Sequence, residues 1–190
     1  SAAIGGHRYH WKGTTYATYQ TSTPWDNVTA SAGLVDWPDI NESWQTLAAI
    51  TDPYTAEPIS ITPTTLIVTS SNLWTASRIV SATEVRSDTN PSAGTVANIT
   101  IGSNPIQMVL GNLQVLSSRQ LTARTATDTD WWLGNPEKAF VYLSIWDLTP
   151  EEAPSDHPDN FSRDIQMQFK ISEMGACGTV EPRIMNESRA

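Results

Sequence analysis

At 190 residues, 39% of them hydrophobic, the chain is long enough to bury one core or two small ones. Its 20 acidic residues outweigh 11 basic ones, a formal charge of −9, and its only lysines, Lys12, Lys138 and Lys170, stand far apart. That balance argues against a nucleic-acid or anionic-membrane surface, since phosphate binding needs clustered Lys and Arg.

The only cysteine, Cys177, cannot form an intramolecular disulfide, so the fold must hold without a crosslink and a reducing, cytosolic compartment suits it. Within the chain the sequence predicts Cys177 as a small buried hydrophobe. No segment approaches the ~20 apolar residues that span a bilayer, and the first residues lack a signal-peptide pattern. SAAIGG reads as a tag scar or the cut end of a longer chain. Asn-x-Ser/Thr triplets at Asn27, Asn41, Asn98, Asn160 and Asn186 read as accidents of a Ser/Thr-rich chain.

From His7 to Asp36 the sequence is aromatic and Thr-rich, broken into extended pieces by Gly13, Pro24 and Gly33. Trp11, Tyr16, Tyr19 and Trp25 are too many rings to leave exposed in an isolated monomer, so this segment is expected to lie on another surface, a neighbour's. A helix then opens at Asp36-Trp37-Pro38-Asp39, with Ile40, Trp44, Leu47 and Ala48 on one face down to Ile50. Thr51 to Pro63 reads as a hairpin-like connection turned by Asp52-Pro53.

Pro63 to Ala82 is the best-formed unit. Leu66-Ile67-Val68 is the short β-branched run of a buried strand, and Ser70 or Ser71 is positioned to cap a helix with Leu73, Ala76 and Val80 on one face. Thr83 to Pro105 reads as a surface loop with a strand at Val96 to Ile101. Val109 to Leu116 reads as a strand pair about Gly111-Asn112. In Trp131 to Trp146 a strand ends at Gly134, a turn uses Asn135-Pro136, and a second strand, apolar on both faces, is expected to be central. An acidic loop, Leu148 to Asn160, a half-exposed strand, Phe161 to Ile171, and a last strand, Val180 to Met185, follow, with Gly175 and Gly178 as breakers. Several strands with about two helices make a mixed α+β chain without βαβ alternation.

Catalytic and metal signals are weak. His7 and His10 lack a third ligand at a usual spacing. Glu151, Glu152, Asp156, Asp159 and Asp164 match no calcium loop, and Asp128 with Asp130 reads as a solvated pair. No Gly-x-Ser-x-Gly, phosphate loop or dinucleotide fingerprint occurs, and a hydrolase built on His157 with Asp156 or Asp159 lacks a nucleophile. No cofactor is expected. A competing reading is a secreted β-rich carbohydrate-binding module stacking sugars on Trp131, Trp132 and Trp146.

Glu57-Pro58-Ile59 leads into Pro63-Thr64-Thr65-Leu66-Ile67-Val68, then a helix with Ala76 and Ile79-Val80. Trp131-Trp132-Leu133-Gly134, Ala139-Phe140 and Asp159-Asn160-Phe161 follow. In this order the pieces, covering most of Asp36 to Arg189, resemble the latter part of tailed-bacteriophage major capsid proteins of the Hong Kong 97-like fold. The resemblance implies an α+β shell subunit lacking most of the N-terminal arm and spine helix. It also implies an axial-type domain over 52–134, a peripheral-type domain over 36–51 and 135–190, and an extended segment, 1–35, as a remnant of the extended loop. It implies a structural protein and not an enzyme, located in the virion and in host cytoplasm during assembly. Its partners would be copies of itself in hexamers and pentamers, with scaffolding and portal proteins. Trp11, Tyr16, Tyr19 and Trp25 are the candidate subunit-interface residues.

Overall fold

The computed structural model describes residues 8–22, 24–30, 32–52, 54–88, 99–111, 113–125, 127–153, 162–163 and 167–190. Among the expected features, His7, Val96 to Asn98, Asp156, His157, Asp159, Asn160, Phe161 and Asp164 lie outside them. The chain divides into two compact units, Ser1–Phe140 with Thr179–Ala190, and Val141–Gly178.

In chain order the first unit contains strands β1 (Arg8–Trp11), β2 (Thr14–Ala17), β3 (Thr21–Ser22), β4 (Trp25–Asp26) and β5 (Val28–Thr29), then helix α1 (Trp37–Ala48). Strand β6 (Thr65–Val68), helix α2 (Leu73–Ser81), strands β7 (Glu84–Asp88) and β8 (Ile99–Ser103), and helix α3 (Pro105–Val109) come next. They are followed by β9 (Gln114–Ser117), α4 (Arg119–Thr125), β10 (Trp131–Gly134) and α5 (Pro136–Ala139). Two long strands, β11 (Phe140–Glu152) and β12 (Phe169–Thr179), supply the second unit, and β13 (Met185–Ser188) closes the sequence after a 3-10 turn at Pro182–Ile184.

The organising element is a five-stranded sheet of order β5-β13-β10-β6-β9. β10 lies antiparallel to both β6 and β13, Trp132 facing Ile67 on one side and Glu187 on the other. β6 and β9 run parallel, joined by a connection that carries α2, the β7–β8 hairpin and α3. That crossover corrects the expectation of a chain without βαβ connections. Segments 52–134 and 135–190 both contribute strands to this sheet.

The sheet is covered on both faces, and strand alternation sorts its side chains between them. Leu66, Val68, Trp131 and Leu133 point to the face that packs Ile40 and Leu47 of α1, Ala76 and Ile79 of α2, and Ile106 of α3. Ile67 and Trp132 point to the other, against Tyr19, Leu121, Ala139 and Met185. Trp131 and Trp132 are fully buried, so they cannot form a sugar-stacking platform.

Local sequence accounts for the helices. Asp36 and Asp39 form a capping box for α1, the Asp36 amide donating to Asp39 Oδ2 at 2.8 Å, and Ile40, Ser43 and Leu47 become its buried stripe; Ala48 is exposed. α2 starts later than expected: Asn72 is its N-cap without a side-chain cap bond, while Ser71 Oγ donates to the Asp128 carbonyl at 2.6 Å. The strand pair expected about Gly111 does not form. Asn104 accepts the Ile106 amide at 3.0 Å and Pro105 takes the first helical position, so residues 105–109 are helical, and Gly111, at φ 60°, ends the turn before β9.

Candidate interaction surfaces

The N-terminal rings make one cluster. β1 and β2 pair through a turn at Lys12-Gly13, both at positive φ, which brings Trp11 beside Tyr16 at 6.2 Å between ring centroids. Trp25 takes the centre, with Tyr9, Trp11 and Tyr16 at 5.6, 6.3 and 5.5 Å. Tyr19 and Trp25 are buried, so the chain itself supplies the burial that the sequence reading assigned to a neighbour. Trp11 and Tyr16 keep exposed surface. The Lys12 ammonium lies over the Tyr54 ring at 3.9 Å and over Trp11 at 4.8 Å.

A narrow recess between Tyr9, Trp11, Trp25 and Tyr54 ends on Asp52, Glu181 and Arg183. Its charges are already paired. Arg183 donates twice to Glu181 at 2.7 Å and lies 3.8 Å from Asp52, and the Glu181 bonds hold the guanidinium more firmly protonated. Asp52 is held below the usual carboxylate range chiefly by the Tyr54 and Thr55 amides. The recess therefore reads as a fastening between the N-terminal hairpin and Arg183, with no free charge to offer a ligand.

The second unit is a two-stranded ribbon, β11 with β12. At its base Tyr142 lies across Gly175 and donates to Glu173 Oε1 at 2.7 Å, while Gly178 meets Val141. The expectation of a central strand here is overturned: every residue from Val141 to Glu152 is exposed. Ile145 and Trp146, 64% and 49% exposed, are adjacent and point to opposite faces; Phe169 and Ile171 are 66% and 65% exposed. Apolarity on both sides suits a sandwiched strand, and in this ribbon no described residue of the unit does the sandwiching. The strand Phe161 to Ile171 is also corrected: β12 starts at Phe169 and carries Gly175 and exposed Cys177 within it.

A third surface is an apolar groove of about 140 Å³ where α1 meets α3, lined by Trp37, Ile40, Trp44, Ile106, Val109 and Leu110 with no charged side chain.

No catalytic constellation assembles among the described residues, and no three His, Cys, Asp or Glu side chains converge as a metal set. His10 Nδ1 shares a hydrogen bond with Thr15 at 3.1 Å, and Glu151 faces Lys170 at 3.8 Å. Asp128 is exposed, but Asp130 is buried rather than solvated, accepting from Thr127 at 2.5 Å. Asn27 and Asn186 are fully buried, so neither triplet can carry a glycan in the folded chain.

Among the described residues the clearest surface feature is this long exposed apolar ribbon, of the kind that marks an interaction site. A family model described as phage capsid protein matches residues 12–185, and the chain belongs to that family. No curated protein matches the chain. Family membership gives it a structural, non-enzymatic role in a self-assembling phage capsid, and a place in the virion; it lends the carbohydrate-binding reading no support.

Proposed function

We propose that the chain is the major capsid subunit of a tailed phage or prophage, of Hong Kong 97-like fold, which self-assembles into an icosahedral shell around DNA. The observation that carries this reading is the β11–β12 ribbon, whose two exposed apolar faces are costly in water unless another molecule covers them. With thirteen residues at about 3.3 Å each, β11 alone runs about 40 Å, a length of apolar strand that a neighbouring subunit can cover. The acidic balance keeps a shell wall from adhering to packed DNA.

On this reading the partners are further copies in hexamers and pentamers, with scaffolding and portal proteins, and assembly takes place in host cytoplasm. It carries with it the axial-type assignment of 52–134, the peripheral-type assignment of 36–51 and 135–190, and the segment Thr83 to Gly94, which includes strand β7 and not the expected loop alone, as a contact near a symmetry axis. The segment 1–35 serves as an interface segment, with Trp11, Tyr16, Tyr19 and Trp25 as its candidate interface residues; of these, Trp11 and Tyr16 present exposed surface, backed by the Trp25 ring. Negative-stain microscopy and sedimentation of the full chain over a range of concentration and salt test the proposal. Closed shells or capsomer-sized rings are expected. A monomer under all conditions, or a chain that only decorates preformed shells, would overturn it.

A further inference from the structure

Taking the capsid-subunit reading as its basis, we infer that the β11–β12 ribbon of one copy seats Trp146 in the α1–α3 groove of a second copy.

The ribbon needs a cover, because a two-stranded ribbon is marginal in water and this one is apolar on both sides. The cover must lack negative charge. Each copy carries a formal −9, so two copies repel wherever their charged surfaces meet and approach most easily through uncharged ones. On the ribbon, Val141 to Trp146 contains no charged residue, and the neighbouring carboxylates of Glu173 and Asp147 accept hydrogen bonds from Tyr142 and Ser144.

The groove is the matching surface on the first unit. Trp37, Trp44 and Leu110 leave it partly open, Val109 at its rim is 65% exposed, and no charge lines it. Its cavity volume of about 140 Å³ is of the size of an indole ring. Trp146 is the largest exposed apolar side chain on the ribbon, and tryptophan filling a desolvated pocket is the commonest kind of interface anchor. The occupant is a second copy because capsid assembly supplies copies at high local concentration and both surfaces belong to the same chain.

A photoreactive benzoyl-phenylalanine at Val109 tests the pairing and leaves the ribbon unchanged. Full-length chains, half of them isotopically heavy, are assembled and irradiated, and the crosslinked peptides are mapped. Crosslinks from position 109 to residues 141–148 that join light to heavy chains are expected, and Trp146→Ala should weaken association at least about 30-fold, the effect of losing a hot-spot tryptophan. Assembled particles without those crosslinks, or with light–light and heavy–heavy pairs alone, overturn the seating and leave the capsid reading standing. Chains that stay monomeric in sedimentation overturn both. If Val109 substitution itself prevents assembly, the same probe at Met108, 77% exposed on the same helix, decides by the same outcomes.

Discussion

Asn27 reaches Met185 across 158 residues of sequence, its Nδ2 donating to the Met185 carbonyl at 3.0 Å. The same nitrogen serves the Pro182 and Thr18 carbonyls at 2.9 and 3.1 Å, and Oδ1 accepts the Gln20 amide at 2.8 Å. One fully buried amide thus fastens the N-terminal segment to the last strand. Asn27→Asp removes the donors and sets a carboxylate among three carbonyls. It should cost at least about 3 kcal/mol in urea unfolding, with Asn27→Ala costing about 2 kcal/mol.

Tyr19 presents the opposite case. Its hydroxyl is buried and has no hydrogen-bond partner among the described residues, so it costs desolvation and returns nothing. Tyr19→Phe should stabilise the chain by about 1 kcal/mol. Burial, and secondarily the Glu187 charge, push the phenol well above its ordinary value, so the folded chain stays neutral where the unfolded one ionises. Stability should fall as pH rises beyond about 10, and the Phe variant should lose less of it; thermal melts at pH 9 and 11 measure the difference.

Two carboxylates give opposite acid-side slopes. Burial raises Glu187, with the Arg189 guanidinium at 2.6 Å offsetting part of the effect. Its contribution to stability is complete below the ordinary glutamate value, about 4.3, and is lost as pH rises through the raised one. Asp52, lowered by the Tyr54 and Thr55 amides, contributes above the ordinary aspartate value, about 3.9, and that contribution is lost as pH falls through the lowered one. Melting curves between pH 3 and 7 should therefore lose opposite slopes in Glu187→Gln and Asp52→Asn; slopes of one sign in both would refute the assignment.

How much of this was legible in sequence depended on whether a segment's environment lay within the chain. Leu66 to Val68 and Trp131 to Gly134 are apolar at every position because both sheet faces are covered, so composition alone revealed them as strands. The α1 start was equally plain, since its capping box is local. The strand expected at Val109-Leu110 failed because apolar side chains there suit either state and the upstream Asn104-Pro105 start signal decided the matter. Val141 to Trp146 failed for a different reason: apolarity on both faces reports that a strand is covered but not by which molecule. In the ring cluster, composition grouped Trp11, Tyr16, Tyr19 and Trp25 together, and only the fold sorts Tyr19 and Trp25 into buried positions while Trp11 and Tyr16 keep exposed surface.

Lys12 occupies a left-handed position, φ 48°, where Asn or Gly is usual, and its ammonium over Tyr54 and Trp11 compensates. A double-mutant cycle of Lys12→Met with Tyr54→Ala should give a coupling of about 0.5–1 kcal/mol. Lys12→Asn should change stability by less than about 0.5 kcal/mol, since the easier turn offsets the lost cation.

Core and arm should separate cleanly. Trp131, fully buried with Nε1 donating to the Ala32 carbonyl at 2.8 Å, should cost about 3–5 kcal/mol as Trp131→Ala and abolish folding before assembly is reached. Ile145→Ser with Trp146→Ala should leave the melting temperature of the monomer within about 2 °C, since both side chains are exposed, yet suppress particle formation in light scattering.

The position of β13 has a consequence for timing. This strand stands inside the sheet between β5 and β10, and α1 packs on it through Ser43, whose Oγ accepts from Asn186 at 2.6 Å. Until residue 188 has left the ribosome, β5 has no strand to pair with, and one edge of β10 and one flank of α1 stay uncovered. The β11–β12 residues are therefore translated before the strand that completes the first unit's sheet, so the apolar ribbon exists while that sheet still lacks one of its inner strands.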